Sequence, residues 1–474
     1  AGHLWGRDVH TTTEILLGET DPKAKVACIG PAGEKRVLIA AIMNDKHRAA
    51  ARSGVGAVMG SKNLKAVVVM GRKNPTFYDE EGMRKYSVEL AKQVGTDIKK
   101  GSSLREYGTA YVPQVTNELG ILPTRNFQTG VFEGVDNIDG VALKEKFLIK
   151  HKPCYRCPIS CGRLTAVDHE EYGGEGEGPE YETIASLGSA CGVDNLAALT
   201  KANYYCNELG LDTISTGLTI AAAMELYEKG VIGIDEIGSP LPFGDADALI
   251  DMVQKTAYRE GFGNQLADGS FRLAEKYGRP EVSLTARKQE LPGYDPRGSQ
   301  GMGLLYATSN KGASHMEGDV AYEEVFGTPA KSDPLSTKGK GKLVARFQDA
   351  FALIDSGGIC VFFAVRYVFT KEMMIWPEQL SRLLNFATGA DYSPEEALQS
   401  AERVYNLERL FLISAGSGPE QDTLAPRLLH EPMPEGPAEG RVVDLEEMLS
   451  EYYKVRDWPG GIPSEEKLKS LGLR

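Results

Sequence analysis

Three of the seven cysteines fall within eight residues, in Cys154-Tyr-Arg-Cys157-Pro-Ile-Ser-Cys161. The Cys-x2-Cys-x3-Cys spacing puts three thiolates on one tight loop. A cuboidal iron–sulfur cluster needs that arrangement, with a fourth thiolate from elsewhere in the chain. A tetrahedral zinc site more often takes two separate Cys-x2-Cys pairs, and buried free thiols are a third reading. Cys191, Cys206 and Cys360 compete for the place of fourth ligand; Cys28 completes the set. An odd count with three members crowded together reads as metal binding in a reducing compartment, not as a disulfide framework.

Four other segments carry groups that can do chemistry. In Arg52-Ser-Gly-Val-Gly-Ala-Val-Met-Gly-Ser-Lys-Asn63, glycines ahead of a strand let the backbone approach a ligand, and Arg52 and Lys62 suit phosphate. Its Gly54-x-Gly56-x3-Gly60 spacing is not the dinucleotide fingerprint, and a plain glycine-rich turn reads the same way. In Gly178-Pro-Glu180-Tyr-Glu182-Thr183 two carboxylates stand shortly after the cysteine loop, where one could act as a general base. A solvated loop would carry the same pair. His315, in Asn310-Lys-Gly-Ala-Ser-His-Met-Glu317, titrates near neutrality, although a lone histidine is more often structural. Leu211-Asp212-Thr-Ile-Ser-Thr-Gly217 and Ile354-Asp355-Ser-Gly-Gly-Ile-Cys360 echo one another. Each sets an aspartate just before a small-residue helix start, where backbone N–H groups can hold a polar ligand.

The elements that must position these residues divide the chain. Strand-like runs occur at Lys25–Gly30, Lys35–Ala40 and Leu64–Met70, with turn residues Pro31–Glu34 between the first two. From Asp79 the apolar spacing becomes helical: Glu80–Lys99 up to Gly101, Asn195–Leu209 with Asp194 as N-cap and Gly210 as stop, Ser215–Lys229, Asp245–Arg259 and Glu395–Ser414. Gly173–Gly178 reads as a loop, and the Gly/Pro-rich segment Arg287–Gly301 as a boundary. The fold class expected is α+β and multidomain: a β-rich unit over 1–76, a helical unit over 77–286 with the cysteine loop, and a second helical unit over 287–474.

A length of 474 residues supports two or three domains, and 25% charged with 42% hydrophobic residues is ordinary for a globular chain. A net charge of −13 argues against a general nucleic-acid binder. The longest uncharged apolar runs, Thr213–Met224 and Ser356–Val365, are too short to span a bilayer, and the first residues carry no signal-peptide pattern. A cytoplasmic location is expected.

Taken together and in this order, 52–66, the cysteine loop, Gly-Pro-Glu-Tyr-Glu-Thr, Leu-Asp-Thr-Ile-Ser-Thr-Gly, Leu-Pro-Gly-Tyr-Asp-Pro-Arg-Gly (291–298) and Asp-Ser-Gly-Gly-Ile-Cys resemble the aldehyde ferredoxin oxidoreductase family over essentially the whole chain. The resemblance implies tungsten, or molybdenum, held by the dithiolenes of two molybdopterins, with magnesium linking their phosphates. It implies a β-rich base domain capped by two helical domains. Arg52, Ser53 and Gly54 would face the pterin phosphates, Asp212 and Asp355 the pterin rings, and Cys154, Cys157, Cys161 and Cys360 would ligate a [4Fe–4S] cluster. His315 and a glutamate, Glu180 or Glu182, would sit beside the metal. The family's base domain begins well before residue 1, so an N-terminally truncated chain is expected.

The implied reaction is oxidation of an aldehyde to a carboxylic acid, with electrons leaving through the cluster to ferredoxin or an iron–sulfur subunit. No nucleic-acid partner or membrane span is expected, and a homodimer is among the assemblies allowed. Two alternatives remain: the active-site subunit of a tungsten benzoyl-CoA-type reductase, with Lys338-Gly-Lys-Gly-Lys342 as a CoA-phosphate or solvated basic loop, and a cluster-only electron-relay or structural subunit.

Overall fold

The computed structural model describes residues 2–99, 101–364 and 377–474. The front of the chain forms an antiparallel sheet of β1 (Lys25–Cys28), β2 (Ile42–Asn44), β3 (Arg48–Ala50) and β4 (Ala66–Val69), in the order β3-β2-β1-β4. Cys28 stands opposite Met43 on one side and Ala66 on the other. Beneath it lies the Val9–Glu19 helix, capped by Asp8, whose carboxylate accepts from Thr11 N–H at 2.7 Å. Val9, Leu16, Val26, Cys28, Ala41 and Met43 bury their side chains between them.

Two expectations for this region fail. Pro31–Glu34 is a short helix, and Lys35–Ala40 forms turns instead of a strand. The backbone bonds there run locally, Val37 N–H to Ala32 O and Ala40 N–H to Val37 O, or to Ala267 O from Leu38 N–H, which leaves no ladder to build. Close packing explains the conformation. A Cβ on Gly60 would lie 1.8 Å from Gly33 O, and one on Gly56 would lie 2.5 Å from Ala41 O. The glycines of 52–63 therefore let the Val55–Ser61 helix press against the protein's own backbone.

The helical part follows the periodicity closely. Glu80–Lys99 has the expected bounds, and Gly101 at φ 118° ends it. The Leu196–Leu209 helix is capped by Asn195, not Asp194: its amide oxygen accepts from Ala197 and Ala198 N–H at 3.1 and 3.2 Å. Thr213–Glu228 is apolar on every side and is buried throughout most of its length, so it forms the axis around which Ala246–Tyr258 and Ser270–Tyr277 pack. Pro394–Ser414 opens with a capping box between Ser393 and Glu396. One hydrophobic core runs from Ala32 to Trp458, so the segments before and after 287 share their packing.

A second sheet, β5 (Leu148–His151), β6 (Arg163–Val167) and β7 (Gly174–Glu177), brackets the cysteine loop. The loop expected at Gly173–Gly178 is in fact mostly β7. Gly174 and Gly176 let the Tyr204 ring lie directly on the strand, where a Cβ would come within 3.1 and 2.8 Å of it. Two short strands, β8 (Thr285–Ala286) and β9 (Gln289–Glu290), join through Arg287 and Lys288, both at positive φ. In Lys338–Lys342 the outer lysines Lys338 and Lys342 are exposed, but Lys340 begins the Lys340–Ser356 helix and is buried against Glu324, Ser332 Oγ and Asp333 O. Among the described residues no helix is long and apolar enough to cross a membrane; Thr213–Met224 lies in a core helix, and the last residue of Ser356–Val365 falls outside the described residues.

Candidate active site

The cysteine loop is pinched at its base by Lys152 N–H donating to Gly162 O at 2.7 Å. Within it Cys157 N–H donates to Cys154 O, and Arg156 and Ser160 take positive φ, which turns the chain sharply. Cys154 is exposed, and Cys157 and Cys161 are half-buried. Cys360 approaches from the other half of the chain, carried by the end of the Lys340–Ser356 helix and the Gly357-Gly358 turn. Burial raises its thiol, while the N–H groups of Phe363 and Phe362 pull it down and the charges of Cys157 and Cys154 raise it further. Backbone N–H groups aimed at sulfur favour a thiolate.

Cys154, Cys161 and Cys360 line one cavity of about 290 Å³. Burial, Glu180 and the thiols of Cys360 and Cys157 push Cys161 up to about 12, against the pull of Arg48. The rival fourth ligands lie elsewhere. Cys191 is buried and donates to Ser186 O and Gly217 O, and Cys206 is buried in the Leu196–Leu209 helix. Among the described residues, no three His, Cys, Asp or Glu side chains meet closely enough to share a single ion. Cys154, Cys161 and Cys360 facing one cavity are the thiol donors that an iron–sulfur cluster takes.

The same cavity carries Glu180, Glu182 and His315 on its walls. Glu182 Oε2 accepts from Gly293 N–H at 2.7 Å, while Oε1 has no hydrogen-bond partner among the described residues. Burial pushes this carboxyl up to about 7, against the pull of the Gly293 N–H and Arg52. His315 Nδ1, likewise unpartnered, stands 3.7 Å from Glu182 Oε1, too far for a direct hydrogen bond. Burial and the Arg52 guanidinium push the imidazole down to about 3, so it is neutral at pH 7. Glu180 is more exposed, pairs with Arg163 at 3.0 Å and accepts from Thr109 Oγ1.

Sequence reasoning missed several members of this wall. Asp319, four residues after His315, is buried there and is pushed up to about 8 by burial and by Glu182. Tyr181, Tyr294 and Tyr322 surround it. Tyr181 and Tyr294 stand inside quoted motifs, and only their ring-on-ring packing, 5.1 Å between centroids, reveals a shared role.

A second cleft of about 540 Å³ contains Ser53, Gly54 and Asp212, with Arg36, Arg272, Lys288 and Lys311 among its cations. Ser53 and Gly54 both have φ near 66°, and Ser53 Oγ donates to Gln289 Oε1 at 3.0 Å. The two carboxylate oxygens of Asp212 accept from Ile214 and Ser215 N–H, both at 3.2 Å, so the aspartate itself caps its helix. Arg52 turns inward. It donates to Ala313 O at 2.7 Å and Glu290 O at 2.5 Å, with Asp212 3.4 Å from Nε.

Asp355 breaks the sequence echo. It lies in the last turn of a helix, not ahead of one, and its side chain is 56% exposed in a small groove, 4.0 Å from Lys311 Nζ. Lys311 also lines the Ser53–Asp212 cleft, but the two aspartates do not share a cavity. The concave cleft and its cations suit the phosphates of an anionic cofactor.

Residues 1–71 match the family model described as "Aldehyde ferredoxin oxidoreductase, N-terminal domain", and residues 85–473 match "domains 2 & 3" of the same family. Over 480 residues the chain is 47% identical to the tungsten-containing aldehyde ferredoxin oxidoreductases of Pyrococcus furiosus and Thermococcus kodakarensis, covering all of itself and 77% of each relative. It is 30% identical to the WOR-like subunit of an aliphatic sulfonate oxidoreductase from Pyrococcus furiosus, covering 94% of itself and 69% of that protein. The structure resembles the active-site complex BamBC of benzoyl coenzyme A reductase, with a TM-score of 0.79 at 21% identity, over 99% of this chain and 77% of that one. That likeness concerns the fold alone. With both parts of the chain matched in order and nearly half its residues shared with several relatives, the chain belongs to the aldehyde ferredoxin oxidoreductase family.

Proposed function

We propose that the protein oxidises aldehydes to carboxylic acids with ferredoxin as electron acceptor, using tungsten, or molybdenum, held by two molybdopterins. The observation that carries this reading is the cavity that sets Glu182 and a neutral His315 against the cysteines. Cys154, Cys157, Cys161 and Cys360 would hold a [4Fe–4S] cluster. Ser53, Gly54 and Asp212 would hold one pterin, Asp355 the other, and magnesium would link the pterin phosphates.

The overall reaction converts an aldehyde and water into an acid, two protons and two electrons. When bound, the metal–dithiolene group supplies the two-electron redox chemistry. His315 donates a ring N–H to the aldehyde oxygen, where negative charge develops, and its neutrality keeps it a donor without a fixed charge in the pocket. Glu182, with a pKa of about 7, takes the proton of the attacking water. Glu180 is committed to Arg163 and Thr109, so its role is to hold the loop that aims Glu182. Arg52 ties the 313–315 segment to the Asp212 cap through Ala313 O.

Burial of Lys340 removes a central cation from the run offered for a CoA phosphate, which weakens the acyl-CoA alternative. A built cleft around Asp212 weakens the cluster-only alternative. The test is aldehyde-dependent reduction of a viologen dye by anaerobically prepared metal-loaded protein. Activity with aldehydes and none with aromatic acyl-CoA supports the proposal; the opposite pattern replaces it with the reductase reading.

A further inference from the structure

The chain as a whole is acidic, at −13, yet residues 144–156 carry Lys144, Lys146, Lys150, Lys152 and Arg156 against the single acid Glu145, a net of +4. This stretch runs along β5 into the cysteine loop. Some of its charge is neutralised: Lys144 pairs with Glu106 at 2.6 Å, and Lys152 with Glu177 at 3.3 Å. Lys146, Lys150 and Arg156 are exposed and have no acidic partner among the described residues. Arg105 adds a fourth cation, reaching Pro158 O of the loop at 3.4 Å.

Amid these cations Tyr155 projects with 87% of its surface exposed, its ring under the Arg156 guanidinium at 5.2 Å, and Ile149 is 50% exposed on β5. Tyr155 thus stands next to exposed Cys154 in the chain, with Arg156 over its ring, and Arg105, Lys146 and Lys150 are exposed on the loop and the segments that lead to it. An exposed aromatic with cations near the cysteine loop has the composition of a contact site.

We infer that the exposed surface at the cysteine loop, with Tyr155 and Arg156 on the loop, Arg105 bonded to it and Lys146 and Lys150 on the stretch leading into it, is the docking site for an acidic one-electron iron–sulfur acceptor. The inference rests on the cluster assignment made above. Each turnover releases two electrons, so two oxidised acceptor molecules dock in succession at the cysteine loop, and each leaves with one electron. Opposite charge on the two faces speeds encounter, and salt screens it.

The test compares the holoenzyme with its Lys146→Glu/Lys150→Glu variant, both changes lying outside the cysteine loop. Aldehyde oxidation is followed with an acidic ferredoxin and, separately, with a viologen dye. At low ionic strength the KM for ferredoxin is expected to rise about tenfold, the dye rate to stay within about twofold, and the difference to shrink in high salt. Tyr155→Ala should raise the ferredoxin KM with iron content unchanged. An unchanged ferredoxin KM in both variants would overturn the inference. If the parent shows no aldehyde activity even with the dye, the functional reading falls instead. Docking is then read from salt-sensitive binding of the same ferredoxin: binding lost in the charge-reversed variant upholds it, and equal binding overturns it.

Discussion

Replacing Glu182 by Gln is expected to stabilise the protein above neutral pH while removing most of its aldehyde turnover. The carboxyl has an ordinary value of 4.5 and is raised to about 7 by burial. At about 1.4 kcal/mol per pH unit, ionising it in the folded chain costs on the order of 3 kcal/mol relative to the unfolded one. The sign follows from a folded value above the unfolded one. The neutral carboxyl contributes fully below 4.5, and that contribution drains away as the pH rises through about 7. Gln keeps the acceptor for Gly293 N–H and never ionises, but its own N–H2 must find a partner, which reduces the net gain to about 1–2 kcal/mol. Thermal melting of Glu182→Gln and parent should therefore separate by a few degrees at pH 8, with the variant higher, and by less at pH 5. Turnover should fall by roughly 10²–10⁴-fold. A variant that melts at or below the parent at both pH values would refute the buried-carboxyl reasoning, and one that keeps its turnover would remove Glu182 from catalysis.

Three further outcomes are expected. Cys360→Ala should abolish the visible absorbance of the cluster, whereas Cys206→Ala, a core change in the Leu196–Leu209 helix, should keep it; equal absorbance in both would exclude Cys360 as a ligand. His315→Ala should lower aldehyde turnover by roughly 10²–10⁴-fold with tungsten and iron content unchanged; loss of metal would instead make His315 a cofactor-holding residue. Gly60→Ala puts a Cβ 1.8 Å from Gly33 O, a backbone atom that cannot swing aside, so destabilisation of about 2–4 kcal/mol should appear in its melting curve.

Much of the helical architecture was legible because it depends on one local signal. Glu80–Lys99 alternates faces at helical period and ends at a glycine with positive φ, and both features are written in adjacent residues. Lys35–Ala40 carries an equally apolar run, but its fate is set by contacts with Ala267 and the glycines of a later helix, which no local pattern contains. The same division holds at the site. The cysteine loop is a local spacing, whereas spacing left Cys360 among three rivals and only the family resemblance singled it out; in the fold it reaches the cavity that Cys154 and Cys161 line. Glu180 and Glu182 differ in their partners, which the sequence does not show: Arg163 engages the first, and among the described residues the Gly293 N–H engages the second. Asp319 escaped notice because a single acid in a polar run looks solvated until burial is known.

The most direct test of the central claim is the rate of viologen reduction by anaerobically prepared, tungsten-loaded protein offered an aldehyde. Reduction that requires the aldehyde, yields the carboxylic acid and disappears in preparations lacking tungsten and molybdenum is the expected result. Protein that carries metal and cluster yet leaves every aldehyde untouched while reducing an aromatic acyl-CoA would contradict it.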